Sequence, residues 1–204
     1  MGLRTLATLP VLPAIILLSA GCATVRITDT NRTATEQFLV NTATVRAIDQ
    51  LAFPALRDRS IFIDTTFLSG SSAPSQDQSF LVGELRSRIL QLGGRLSRTL
   101  DAADMVIEVR ASALGIDRFD YLLGVPAGAA TAVDPDVQIS PELAIVKWMR
   151  QEGYSSISLV AYWRNNGELA GVSGPALGRT TRRDYWFFGI GPRTSGDIAP
   201  AETR

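Results

Sequence analysis

The sequence predicts an α/β (α+β) domain, a single mixed sheet with helices packed mainly on one face. Three observations lead there. Two stretches repeat apolar residues at helical intervals, one from Ala34 and one from about Asp77. Several other stretches are β-branched and aromatic or alternate apolar with polar residues, as half-buried strands do. Asn165-Asn166-Gly167 stands between two of those stretches and supplies the positive φ of a tight hairpin.

The first helix is expected over residues 34–52. Thr33-Ala34-Thr35-Glu36 fits a capping box, with Thr33 as N-cap and Glu36 reaching back to it. Phe38, Leu39, Val45, Ile48 and Leu51 form its apolar spacing, and Pro54 ends it. Residues 60–68 read as a strand and 69–75 as a Gly/Ser/Pro loop. The second helix starts near Asp77 or Ser79, with Phe80, Leu81, Leu85, Ile89 and Leu92 on one face. Gly93-Gly94 stops it. A short strand at 95–98 and a turn at 101–104 follow.

Residues 105–111 alternate, placing Met105, Ile107, Val109 and Ala111 on the core face and Val106, Glu108 and Arg110 on the other. Residues 121–135 are apolar but full of Gly, Ala and Pro, and read as a loop. Residues 141–151 admit a helix, opened by Ser140-Pro141-Glu142 and stopped by Gly153, or an extended strand; the helix is preferred. Residues 155–163 alternate as a strand, and 169–173 return as its partner across the Asn-Gly turn. Residues 185–190 form the last strand candidate. The organisation expected is a signal at 1–21, a tether at 22–32, one domain at 33–192 and a flexible tail at 193–204.

The N-terminus carries an address. Arg4 beside the terminal amine precedes an apolar run, 6–18, and a small-residue end, as in a secretory signal. Leu18-Ser19-Ala20-Gly21-Cys22 resembles a bacterial lipobox, although Ser19 stands where Leu, Val or Ile is usual. The resemblance implies cleavage before Cys22 and acylation of its thiol, so Cys22 is the expected lipidation site. Acylation would explain one cysteine in an exported chain, where it has no disulfide partner. An uncleaved anchor, plain secretion and a buried core cysteine remain the other readings. Ala23, rather than Asp, follows Cys22, and resemblance to sorted lipoproteins implies the periplasmic face of an outer membrane.

Composition limits the chemistry. The 204 residues are 46% hydrophobic and 20% charged, which are globular values. Loss of Arg4 with the signal leaves 19 basic residues against 20 acidic, so no nucleic-acid partner is expected. Histidine is absent, which removes His-based catalysis and the commonest transition-metal ligand. No cofactor or metal is expected, and the chain is read as non-enzymatic.

Individual motifs have simple structural readings. Gly171-Val172-Ser173-Gly174-Pro175 lacks the last glycine of a nucleophile elbow and reads as strand end and turn. Gly189-Ile190-Gly191 begins like a dinucleotide loop but has no third glycine and no helix after it. Glu108 is the best single carboxylate for a glycan-acting enzyme, and a same-face partner for Arg110 is its plainer role. Asp64 can bond nearby Thr65, Thr66 or a backbone amide. Arg182, Arg183, Tyr185 and Trp186 combine the residue types that dominate interface hot spots, and are the expected partner-binding residues. The apolar run 122–130 is either a docking or bilayer-dipping loop or a partly buried one.

Several stretches together are similar to a family of uncharacterised bacterial lipoproteins with a domain of unknown function. They are the lipobox, Thr33-Ala34-Thr35-Glu36-Gln37, Ile63-Asp64-Thr65, Ala113-Leu114-Gly115-Ile116-Asp117-Arg118, Leu122-Leu123-Gly124-Val125-Pro126, Ser173-Gly174-Pro175 and Gly189-Ile190-Gly191-Pro192. The element order also resembles, more loosely, the periplasmic domains of the curli secretion lipoprotein and of lipoprotein activators of penicillin-binding proteins. That likeness implies assembly and docking rather than catalysis, on fold-level analogy alone. The expectation is therefore a lipid-anchored envelope protein that binds a protein partner or itself. A carboxylate-using glycan enzyme and a binder of small lipids or glycans are the alternatives.

Overall fold

The computed structural model describes residues 22–27, 32–68, 75–126 and 142–198. The elements are β1 (Cys22–Ile27), α1 (Ala34–Asp49), β2 (Ser60–Asp64), a 3-10 turn (Thr66–Leu68), α2 (Gln76–Gln91), β3 (Arg95–Leu96), β4 (Met105–Val125), β5 (Leu143–Trp163), β6 (Leu169–Phe187) and β7 (Ile190–Gly196). They form one mixed sheet in the order β3-β2-β4-β5-β6-β7, with β1 also paired to β4. The α+β class expected from the sequence is the one observed.

β2 runs parallel to both neighbours, placing Ile61 opposite Leu96 and Met105. β4 and β5 are antiparallel: the Arg164 N–H donates to the Asp104 carbonyl (3.1 Å), and Ser112 meets Ser156 hydroxyl to hydroxyl (2.7 Å). β5 turns into β6 through Asn165-Asn166-Gly167. Gly167 takes φ +70°, and its N–H donates to the Trp163 carbonyl at 2.8 Å.

Local chemistry sets both helices. Thr33 and Glu36 form the reciprocal capping box on α1, the Thr33 N–H donating to Glu36 Oε2 at 2.9 Å. α2 starts earlier than its apolar pattern suggests, because Ser75 and Gln78 make a second capping box. At its end the Gly94 N–H donates to the Ile89 carbonyl and the Gly93 N–H to the Leu90 carbonyl, both at 3.0 Å. Gly93 holds φ +83°, which completes a Schellman stop.

The chain gathers into two compact units. One comprises, among described residues, 26–27, 32–68, 75–118, 151–182 and 196–198. Leu81, Leu85 and Ile89 of α2, Ala47 and Ile48 of α1, and Ile61, Met105, Ile107, Val109, Ile157 and Leu159 of the strands form its buried core. The alternation read for β4 and β5 holds here. α1 ends at Asp49, short of the expected residue 52; Leu39 and Ile48 on it, and Leu51 just beyond it, are buried as expected, but Phe38 and Val45 are exposed. The buried stripe instead uses Val40, Ala43, Thr44 and Ala47. Close approach explains these small residues: a Cβ on Gly178 of β6 would lie 1.8 Å from the Ala43 carbonyl oxygen. The polar groups at this contact are satisfied. Thr180 donates to the Leu39 carbonyl (2.7 Å) and Thr44 to the Val40 carbonyl (2.9 Å).

The other unit comprises, among described residues, 22–25, 119–126, 142–150 and 183–195. It is built from strand segments. Among residues 119–126, 142–150 and 183–195 no apolar side chain is buried; Asp184 is the buried one, at 1% exposure, accepting from the Thr194 hydroxyl.

Several expectations need correction. Residues 22–27, read as tether, form β1, because pairing with β4 satisfies their backbone. Residues 121–125 continue β4 rather than forming a loop, and 143–151 belong to β5 rather than to the helix expected there. Ladder pairing on both sides of β5 overrides the local helix signals there. Residues 185–190 are two strands joined at Phe188-Gly189, and 193–196, read as tail, lie in β7. The strand read at 60–68 ends at Asp64, which turns to bond Thr66. The signal at 1–21, the rest of the tether at 28–31, the loop at 69–74, the run 127–135, the start at Ser140-Pro141 and the tail beyond 198 lie outside the described residues.

Candidate functional site

Strand alternation assembles an aromatic surface on the second unit. Side chains two apart on a strand share a face. Phe119 and Tyr121 therefore share one face of β4, Trp148 and Arg150 one face of β5, and Arg183, Tyr185 and Phe187 one face of β6. Two cross-strand contacts show that these faces coincide. The Trp148 and Tyr185 rings stack at 5.8 Å between centroids and 9° between planes. The Arg150 guanidinium lies 6.0 Å from the Phe119 ring centroid. Phe119, Tyr121, Trp148 and Phe187 are all exposed, between 37% and 53%. A groove of about 270 Å³ runs among Phe119, Asp120, Tyr121, Trp148 and Arg150.

The opposite face differs in chemistry. Lys147 sits 5.9 Å from the Trp186 ring and pairs with Glu142 at 2.9 Å. The four partner-binding residues read from sequence are thus divided. Arg183 and Tyr185 belong to the aromatic face, and Trp186 to the other side. Arg182 lies in the core-bearing unit, where it donates to Thr35 Oγ1 (3.2 Å) at the first turn of α1. Sequence reasoning missed Phe119, Tyr121, Trp148, Arg150 and Phe187. Their signal was the i, i+2 spacing of Phe119/Tyr121 and Trp148/Arg150, hidden by reading one segment partly as loop and the other as helix.

The core-bearing unit holds a separate polar cluster. Glu152, 2% exposed, accepts from the Tyr154 hydroxyl and from Arg179 Nη2 (2.6 Å). The Arg179 guanidinium also lies 5.6 Å from the Tyr154 ring centroid. The hydrogen bond to the Glu152 carboxylate, then burial, pushes the Tyr154 phenol above its ordinary pKa. The arrangement neutralises a buried charge with an Arg fork, as buried carboxylates require.

The carboxylates weighed as catalysts have structural partners. Arg110 Nε donates to Glu108 at 2.6 Å, and Asp64 accepts from the Thr66 N–H at 2.9 Å. Ser173 lies within β6, where its hydroxyl accepts from the Ala52 N–H at 2.8 Å. Among the described residues no group of three Cys, Asp or Glu side chains could hold a metal ion, and no helix is long and apolar enough to cross a membrane. The Cys22 backbone is the first residue of β1.

Comparison with known proteins gives one family. Residues 14–203 match a family of unknown function, DUF6655, and the chain belongs to it. No curated protein matches it.

Proposed function

We propose that this DUF6655 member is a non-enzymatic bacterial envelope lipoprotein, anchored by acyl chains on Cys22, that docks another protein. The lipobox-like Leu18–Cys22 stretch supports the anchor, and Ala23 rather than Asp after it supports a place on the periplasmic face of the outer membrane. The observation that carries docking is the aromatic face: Trp148, Tyr185, Phe119 and Tyr121, with Arg150 beside them, lie on a unit that buries no apolar side chain among residues 119–126, 142–150 and 183–195. Trp, Tyr and Arg contribute most to binding when a partner excludes water from them. A unit that exposes its largest apolar groups gains most by burying them in a complex.

The test is co-purification of the C-terminally tagged full chain in mild detergent, read by mass spectrometry. Wild type should retain a specific partner, or a second copy of itself. A Trp148→Ala/Tyr185→Ala variant should lose it while keeping its far-UV circular dichroism. Arg182→Ala, contacting Thr35 instead, should retain it. Retention by the double variant would remove the aromatic face from the proposal.

The groove favours a second reading, a binder of small glycans or lipids, since sugar rings and acyl chains both settle against aromatic walls. Ligand released from the wild-type protein in native mass spectra, and absent with Trp148→Ala, would replace protein docking with that reading.

A further inference from the structure

We propose that the β6–β7 turn and the strand ends beside it seat the unit of residues 119–126, 142–150 and 183–195 in the headgroup layer of an anionic phospholipid bilayer. The proposal rests on the reading of Cys22 as the lipid anchor.

The turn itself is the first observation. Phe188 and Gly189 join β6 to β7 with φ +46° and +76°. Positive φ at both central positions is the habit of a type I′ hairpin turn, where Asn, Asp or Gly is favoured. A phenylalanine in the left-handed region is strained, because its Cβ crowds the following carbonyl. Phe188 offsets none of that strain by burial, being 78% exposed. A bulky apolar side chain held in a costly conformation and pointed at solvent makes sense when solvent is not its working environment.

The neighbours extend the apolar surface. Phe187 is 53% exposed and Ile190 80%. The Phe188 N–H donates to the Ile145 carbonyl at 2.9 Å, which brings the turn to the start of β5. Leu143, 63% exposed, begins that strand. Gly124 of β4 lies against the Leu143 carbonyl oxygen, so close that a Cβ there would be 2.1 Å away, and Val125 follows at 45% exposure. Five exposed apolar side chains thus gather at one end of four strands, an arrangement that marks an interaction surface.

Charge and continuity select the bilayer as occupant. Arg183 on β6 and Arg193 on β7 are exposed on the strands leading to and from the turn. Lys147, paired with Glu142, stands over Trp186 nearby. Aromatic rings with cations behind them suit the boundary between acyl chains and anionic headgroups. Cys22 and the three residues after it belong to this same unit, and Cys22 is already the first residue of β1. Acyl chains there leave no linker, so this is the unit that anchoring holds at the membrane.

The test places a reporter at the tip. Phe188→Trp is made in the full chain, purified from membranes as the cell processes it, and reconstituted in phosphatidylethanolamine/phosphatidylglycerol vesicles with brominated acyl chains. The emission added by the substitution should be blue-shifted and quenched severalfold more than the wild-type tryptophan emission. Arg183→Glu/Arg193→Glu should reduce that quenching while the acyl anchor keeps the protein on the vesicles. Ile190→Trp is the second reporter if the first fails to fold. Added emission that stays water-like and unquenched overturns the proposal. So does emission shielded only in a detergent-solubilised complex with a co-purified protein, which would assign the tip to that partner. Intact mass reads acylation separately. A chain found without acyl chains is mixed with the same vesicles, where quenching supports insertion on its own and its absence overturns it.

Discussion

Trp148 of β5 lies flat against Tyr185 of β6, their ring planes 9° from parallel and their centroids 5.8 Å apart. The contact ties two strands of the unit that buries no apolar side chain among residues 119–126, 142–150 and 183–195, and it leaves Trp148 37% exposed. Stacked pairs of this kind couple by about 0.5–1.5 kcal/mol beyond the area they bury. A double-mutant cycle of Trp148→Ala and Tyr185→Ala, read by urea denaturation, should return a coupling energy in that range. Strict additivity would mean that the rings do not meet in solution.

Two glycines should respond oppositely to the same substitution. Gly83 lies in the middle of α2, and nothing approaches the space a Cβ would fill there. Gly83→Ala should stabilise the protein by about 0.5–1 kcal/mol, since alanine forms helix better and loses less backbone entropy. Gly178→Ala would drive a methyl group into the Ala43 carbonyl and should cost about 3 kcal/mol or more as α1 is pushed off β6. Thermal melts of both variants check the pair.

Tyr154 should titrate late. Its hydroxyl donates to Glu152, and that hydrogen bond is the main reason its phenol ionises above the ordinary range. Ultraviolet difference titration should show a tyrosine ionising above about pH 10, and Glu152→Gln should bring it down toward the ordinary value. An unchanged titration curve would place the Tyr154 hydroxyl elsewhere.

Asp197 links stability to low pH. Hydrogen bonds from Arg46 and from the Thr181 N–H hold its carboxyl below the usual carboxylate range. A depressed folded pKa gives stability that is fully present above the unfolded value, about 4, and lost as pH falls through the folded one. The gap in melting temperature between wild type and Asp197→Asn should therefore be constant above about pH 5 and shrink below pH 4. A gap that grows on acidification would contradict the assignment.

Local chemistry was legible in the sequence, and distant pairing was not. The Thr33–Glu36 capping box, the Gly93-Gly94 stop and the Asn165–Gly167 turn each involve residues a few positions apart, and all three form as read. The alternation at Met105, Ile107 and Val109 also held, because one face meets the helices. Residues 143–151 fit either a helix or a strand locally, and the choice is made by β4 and β6 pairing on either side. The strand at Cys22–Ile27 depends wholly on β4. The β6–β7 turn was hidden because Phe188 occupies a position where Asn or Gly would have announced it. Trp148 and Arg150 of the aromatic face went unread because they share a face with Tyr185 only once residues 143–151 are a strand.

Covalent attachment at Cys22 underlies both the docking and the bilayer proposals, and the intact mass of the tagged chain extracted from membranes reads it directly. A polypeptide beginning at Cys22 and carrying a diacylglycerol thioether is expected, with that mass absent from the Cys22→Ser variant. A chain that begins elsewhere, or a Cys22 thiol without acyl chains, would contradict anchoring.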